Sequence, residues 1–512
     1  NFNSNYFEVS TLLMKADMSA QLGTWSARSG FIFAAIGSAV GLGNIWRFPY
    51  VSYENGGGAF FLPYLIALAT AGFPLLFLDY VMGQKYKGAP PTAYRRFIKS
   101  AEGIGWWQVA VCTIIGIYYA SVLSWAGNYT LFAVGQQWGE DTEGFFFNTY
   151  LQNASELTMA YSSQLLIGLV VVWVMVLLIL YGGIKKGVEL SNKIFIPLLI
   201  VMFGVLVARA VTLPGATVGL DTFFAPNWEK MADPKVWLAA YGHVFFSMSI
   251  GFGIMVTYAS YLKRNANLTG SGLVVGFANS SFELLAGIGI FSVLGFMAQA
   301  SGVPVSEVVS GGIGLAFIAF PKIISTMGDA GNLVGILFFG SLFIAGVTSM
   351  VSILQVPISA VQDKFGWSKN QSVTVVGLGS AIISITLFGS QNAITFVDVI
   401  DNFVNNIGIV FGAILSIIWV TWFNRNKLRG LINHINAISS VKVGAIWSFM
   451  LTIVTPIALI VTLGLTLKSL LTEGYGGYPA NVQLIFGWGV IIICAILALI
   501  LPRINGHSSH EK

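Results

Sequence analysis

Apolar positions in this chain gather into long runs instead of alternating with polar ones. Runs long enough to cross a bilayer as a helix, about 20 residues each, recur near 30–52, 58–84, 106–135, 162–181, 190–212, 236–262, 268–299, 331–362, 371–389, 395–423, 443–467 and 482–501. The pattern predicts twelve transmembrane helices. Their continuity excludes a β-barrel, whose spans are short and alternate. The breaks near 136–161, 213–235 and 301–330 read as loops of the same domain. In the last of them, the Gly-punctuated apolar stretch Gly311–Phe320 is expected to fold back on the outer face as a re-entrant or capping hairpin. The organisation is then a tail over 1–24, one membrane domain over 25–501 and a second tail over 502–512.

Composition agrees. Of 512 residues, 55% are hydrophobic and 9% charged, against about 25% charged in soluble domains. So few charges exclude a soluble multidomain enzyme, and so much apolar character excludes disorder. Cys112 and Cys494 sit inside apolar runs and support neither a disulfide framework nor a metal site. The net charge of +5 matters less than its placement. Lys85, Lys87, Arg95, Arg96 and Lys99, then Lys185, Lys186 and Lys193, Lys263 and Arg264, Lys364 and Lys369, and Arg425, Lys427, Arg429 and Lys442 crowd alternate loops. Only Lys230, Lys235, Lys322 and Lys468 fall in the others. The bias predicts two cytoplasmic tails. The first 17 residues lack the basic-then-apolar order of a signal peptide, and Met14 or Met18 is a candidate start. Asn153-Ala154-Ser155 is a glycosylation sequon in an outer loop.

Glycine interrupts two spans. The first carries Gly37-Ser38-Ala39-Val40-Gly41-Leu42-Gly43-Asn44 and the sixth Ser247-Met248-Ser249-Ile250-Gly251-Phe252-Gly253. Each glycine costs a helix interior about 1 kcal/mol against alanine. Unwound backbone at mid-membrane is tolerated where it is buried or lines a cavity, and its carbonyls then suit cations. Close packing through small residues is the other reading of one such run. Two runs, opening the first and sixth of ten spans that split five and five, favour an inverted-repeat transporter.

GSAVGLGNIWRFP over Gly37–Pro49, ENGGGAF over Glu54–Phe60, Ser249–Gly253, and GLAFI over Gly314–Ile318 with Pro321 resemble the neurotransmitter:sodium symporter family. The resemblance runs from Trp25 to the twelfth span and is nearest the bacterial amino-acid transporters typified by the leucine transporter. It implies an all-α polytopic fold of the LeuT type, resident in the plasma (inner) membrane of a bacterium. Twelve transmembrane helices are expected, with spans 1–5 and 6–10 as inverted repeats, spans 1 and 6 broken, and spans 11 and 12 peripheral. It implies sodium-coupled symport of a neutral, hydrophobic α-amino acid by alternating access, without chloride. The partners would be that amino acid and the lipid bilayer, with two sodium ions, no organic cofactor and no nucleic acid. No HExxH or GxSxG motif lies on a span, so an enzyme is not expected. An amino-acid sensor that binds without transport is the competing function.

Carried onto matching positions, the first sodium site is the Ala39 carbonyl with Asn44, Ser247 and Asn279, completed by the substrate carboxylate. The second is the carbonyls of Gly37, Val40 and Ala345 with the hydroxyls of Thr348 and Ser349. Positions 345, 348 and 349 share one helix face. Without the resemblance, bonding of those hydroxyls to the preceding turn is the favoured reading. Gly41, where monoamine-transporting relatives carry an aspartate, leaves room for a substrate carboxylate near the N–H groups of Gly41 and Gly43, with Tyr119 as its hydrogen-bond partner. Ser38, Ile115, Phe246, Ser247, Met248, Ser249, Ile250, Phe252, Ser349, Met350 and Ile353 would complete the pocket.

Arg47 and Asp401 would form the outer gate above Tyr119 and Phe246, and Trp25, Tyr261 and Asp363 the inner one. Leu22 stands where the family places a basic partner for that aspartate; Arg28 or Lys15 is a candidate substitute. Gly187 and Pro197 match a helix-unwinding motif in span 5, where a helix start followed by a proline kink is the alternative. Glu283, on the face of Asn279, is expected to supply the negative charge that chloride gives other relatives, and to exchange a proton. His243 departs from the family's glutamine and is expected beside Glu283 with Tyr64, donating in its neutral form. Asp79 reads as a structural, hydrogen-bonded residue.

Overall fold

The computed structural model describes residues 23–158, 160–309 and 311–506. Met14, Lys15, Met18, Leu22 and most of both tails lie outside the described residues. Within them the chain is helical, with two isolated bridges, Gly57 to Pro226 and Tyr161 to Ser390, as its only β pairing. Ten helices are long and apolar enough to span: Gly58–Tyr86, Lys99–Phe132, Ser163–Tyr181, Ile184–Ala210, Leu268–Ser301, Ala330–Phe365, Lys369–Phe388, Ala393–Phe423, Ala445–Thr472 and Ala480–Arg503. They are spans 2–5 and 7–12. Span 1 is the pair Arg28–Ala39 and Leu42–Glu54, termed 1a and 1b, bent by 54°. Span 6 is Pro234–Ser247 and Ile254–Ser260, termed 6a and 6b, parted by Met248–Gly253. The architecture is the expected twelve helices with spans 1 and 6 broken.

The two breaks differ. Span 1 parts over Val40 and Gly41, both in extended conformation. Span 6 parts over six residues, in which Ser249, Gly251 and Gly253 have φ of 54°, 82° and 93°. Glycine enters that region freely, whereas serine is strained there. The Ser249 hydroxyl bonds the Ser38 carbonyl at 3.0 Å, tying one break to the other. Asp79 steadies span 6 by accepting from Gly251 N at 3.1 Å.

Spans 3 and 8 are the most enclosed, 78% of each apolar window being buried, against 22% for span 11 and 11% for span 12. The break between spans 7 and 8 holds a helical hairpin arm, Gly312–Ser325. Its Phe317 ring packs on Phe146 at 5.4 Å, Trp125 at 6.0 Å and Trp46 at 6.2 Å. The face carrying it is termed outer. On the opposite face lies an amphipathic helix, Arg425–Ile438, which buries Leu428, Leu431 and Ile435.

Candidate functional site: a cavity at the helix breaks

A cavity of about 470 Å³ begins at the two breaks and reaches the outer hairpin. Its lower walls are Ser38, Ala39, Gly41, Gly43 and Asn44 of span 1, and Ile115, Tyr119 and Val122 of span 3. Phe246, Ser247, Ser249, Phe252 and Ile254 of span 6 and Ser349 and Ile353 of span 8 close it. Its mouth is formed by Arg47, Tyr50, Gly311, Asp398, Asp401 and Asn405, among others. Gly41 leaves little room to spare: a Cβ would stand 3.0 Å from Ser349 Oγ and 3.4 Å from the Tyr119 hydroxyl, so the Ser349 side chain would have to give slightly. The Gly41 N–H is taken by Asn44 Oδ1 at 2.9 Å, which leaves a substrate carboxylate the later N–H groups of helix 1b.

Three expected lining residues are turned away. Met248 packs its thioether between spans 2 and 7, where a Cβ on Gly72 would lie 2.9 Å from its sulfur and one on Gly276 3.1 Å from its methyl. Ile250 and Met350 are fully buried and do not line the cavity. Val122 and Ile254 take part of the wall instead.

The residues expected at the first ion site meet. Asn44 Nδ2 donates to Asn279 Oδ1 at 2.8 Å, and Asn279 Nδ2 to Ser247 Oγ at 2.7 Å. Glu283, fully buried, joins them. Its Oε1 accepts from Ser247 at 2.5 Å, lies 2.7 Å from His243 Nε2, and is approached by Asn44 Nδ2 at 3.4 Å. Its Oε2 accepts from Tyr64 at 2.5 Å. Ser280, absent from the sequence reading, lies 2.8 Å from the Tyr64 hydroxyl. Among the described residues no Lys or Arg pairs with this carboxylate, and His243 Nδ1 is buried without a hydrogen-bond partner.

The second set is half across the break and half within a helix. Ser349 Oγ bonds the Gly37 carbonyl at 3.2 Å, whereas Thr348 Oγ1 bonds back to the Ala345 carbonyl at 3.0 Å. Val40 donates its N–H to Ile36 O at 2.7 Å. Both sets offer neutral oxygens in buried surroundings, a donor set that suits a hard monovalent cation.

Above the pocket the gate residues stand apart. Arg47 lies over the Phe246 ring, 4.7 Å from its centroid, and makes no ion pair with Asp401. Asp401 Oδ1 accepts from Tyr118 and Asn405, each at 2.7 Å. Both partners flank expected positions, Tyr118 beside Tyr119 and Asn405 one turn after Asp401, and helical spacing could have found them. On the inner side Trp25 is buried, its Nε1 donating to Tyr258 O at 2.9 Å and its N–H to Tyr261 O at 3.4 Å. The Tyr261 hydroxyl bonds Ser359 and accepts from Gln355 at 3.0 Å. Asp363 accepts from Ala89 N at 2.7 Å. Arg28 instead reaches Ser271 of span 7, at 2.8 Å. Span 5 is fully wound, with Gly187 in a π-turn and Pro197 inside the helix.

Two overlapping stretches, residues 22–149 and 136–506, match the profile of the sodium:neurotransmitter symporter family. The chain belongs to the sodium:neurotransmitter symporter family. A sodium-dependent transporter of Methanocaldococcus jannaschii is 40% identical over 485 residues, covering 94% of this chain and 98% of the relative. The mouse sodium- and chloride-dependent neutral and basic amino acid transporter B(0+) is 30% identical over 96% of this chain and 86% of its own length. The structure of MhsT in complex with L-phenylalanine superposes with a TM-score of 0.72 at 31% identity, covering 87% of this chain and 99% of MhsT. The protein is thus a sodium-dependent secondary transporter of this family and not an enzyme.

Proposed function

We propose that the transporter carries a neutral α-amino acid with a hydrophobic side chain, coupled to two sodium ions, and that it does so without chloride. The observation that carries this reading is Glu283, a buried carboxylate hydrogen-bonded to Ser247 and approached by Asn44. Sodium bound by Asn44, Ser247 and Asn279 would lie beside a negative charge the protein already owns, so no external anion is needed. The lower cavity walls carry no charged side chain, and apart from the polar residues at the helix breaks they present Ile115, Val122, Phe246, Phe252, Ile254 and Ile353, which favours a neutral solute with an apolar side chain. MhsT, a close structural relative, binds phenylalanine.

The substrate carboxylate would lie at the start of helix 1b against Tyr119 and complete the first sodium site, so each binding strengthens the other. The Ala39 carbonyl would complete the first site, and the Gly37, Val40 and Ala345 carbonyls with Thr348 and Ser349 would hold the second ion. Arg47 would then leave Phe246 for Asp401, and spans 1, 2, 6 and 7 would rock to open the inner side at Trp25, Tyr261 and Asp363. His243 would hold the Glu283 carboxylate in place beside the ion, and the pH profile of uptake in His243→Gln tests that contact.

The test is sodium-driven uptake of phenylalanine and leucine into proteoliposomes with and without chloride. The native chain should be indifferent to chloride, and Glu283→Ser should require it. Chloride dependence of the native chain would overturn the reading. Saturable binding without counterflow would mark a sensor.

A further inference from the structure

Where helix 1a begins, no neighbouring side chain of its own strand of sequence caps it, and Ala27 stands at the cap position. A carboxylate arrives from span 5 instead. Ser26 N donates to Glu189 Oε2 at 2.9 Å, and the Ser26 hydroxyl donates to Oε1. Lys193, one turn on, pairs with Oε1 at 2.5 Å. Glu189 is only 2% exposed, and it lies in a notch left by Gly30. A Cβ there would stand 2.3 Å from Glu189 Cδ.

Two turns along the same face of helix 1a, Gly37 leaves a second notch. A Cβ at Gly37 would stand 1.9 Å from Asn192 Oδ1, an oxygen buried without a hydrogen-bond partner. The seven-residue spacing on helix 1a and the three-residue spacing on span 5 set both contacts on one seam. The Gly37 carbonyl on that seam is the one that Ser349 bonds. Glu189 closes the π-helical turn Ile184–Glu189, a winding less regular than the α-helix that follows it.

We propose that Glu189 and Asn192 are pegs seated in the Gly30 and Gly37 notches, and that Glu189 is a positioning residue for transport that holds helix 1a in its inner-closed place. Swinging helix 1a inward strips Glu189 of both Ser26 donors and leaves it Lys193 alone, a loss of two charge-assisted hydrogen bonds. The Gly37 carbonyl faces Ser349 while helix 1a is seated, so the same pegs preserve the second ion site. This inference rests on the family's sodium-dependent transport and is independent of which solute is carried.

The test uses full-length protein in lipid nanodiscs with Ser359→Cys, a position 2% exposed beneath Tyr261, as a reporter of inner opening. The chain without that cysteine gives the background from the buried Cys112 and Cys494. With sodium present, Glu189→Gln and Gly30→Ala should each speed reaction with a charged thiol reagent about tenfold, the worth of one lost charge-assisted hydrogen bond. Apparent sodium affinity, read by thermal shift, should fall in parallel. Native labelling rates and sodium affinity in both folded variants would overturn the proposal and leave Glu189 a filler of the seam. Glu189→Gln keeps the side-chain volume, so the test stands even where Glu189→Ala does not fold.

Discussion

The outer and inner ends of the cavity are built from similar residue types and stand in opposite states. At the outer end Arg47 and Asp401 line one space, and each is occupied elsewhere, the arginine on Phe246 and the aspartate on Tyr118 and Asn405. At the inner end the contacts close on one another: Trp25 on Tyr258 and Tyr261, Tyr261 on Ser359 and Gln355, Asp363 on Ala89 N, Glu189 on Ser26. The inner seal needs nothing from outside the protein. The outer one has its partners parked, so a bound solute is needed to make moving Arg47 worthwhile. In the proposed reading, sodium and solute would act by differential affinity for the closed outer end, as a population shift requires.

The largest break in this asymmetry should come from Trp25→Ala. Removing a buried tryptophan costs about 3–5 kcal/mol, and here the loss falls on the inner-closed state, where the ring is enclosed by Phe31, Tyr258 and Tyr261. Labelling of Ser359→Cys should rise by more than about a hundredfold, and sodium-driven uptake should collapse. Equal labelling of the two proteins would show that the inner seal does not depend on this ring.

The outer end should respond less. Asp401→Asn can still accept from Tyr118 and Asn405, so the present open arrangement is kept. What is lost is the charge that Arg47 would meet on closing, worth about 1.5–3 kcal/mol for a charged hydrogen bond. Uptake should fall about tenfold or more, with sodium-dependent ligand binding in detergent changed far less. Equal losses in both would place Asp401 in the pocket and not in the gate.

How much of this was legible in the residues alone follows from what each feature depends on. The spans and the two breaks rest on local pattern, runs of about 20 apolar residues and glycine clusters, and the structure has them where the pattern does. The meeting of Asn44, Ser247 and Asn279 came through the family motifs and not from spacing. The direction of Met248 is set by Gly72 and Gly276 on two other spans, which no local pattern reports. The inner helix Arg425–Ile438 escaped notice because it is short and polar on one face, its burial resting on Leu428, Leu431 and Ile435 alone. Glu189 was passed over beside the Gly187 and Pro197 pair, since only the fold brings it to Ser26.

A smaller effect sharpens the placement of Met248. With its thioether between spans 2 and 7, Met248→Leu is close to volume-conserving and should cost under about 1.5 kcal/mol of stability. Substrate preference among Leu, Ile and Phe should not change. A changed preference would return Met248 to the pocket wall.

The smallest expected effect concerns pH at the inner face. His434, on the helix Arg425–Ile438 outside the spans, lies 2.6 Å from Gln84 Oε1 through its Nε2, joining that helix to the end of span 2. Partial burial holds its imidazole below the ordinary histidine value, and Lys85, Arg264 and Lys87 add to the shift. The folded chain thus binds the proton less readily than the unfolded one. Stability from this site is complete above the ordinary imidazole value, near 6.5, and is lost as pH falls from there toward the lowered one. Thermal unfolding followed from pH 8 to 5 should show a shallow decline that His434→Gln removes, since glutamine can still donate to Gln84 and carries no proton to gain. An undiminished decline in that variant would assign the pH dependence to another group and leave the inner seal indifferent to His434.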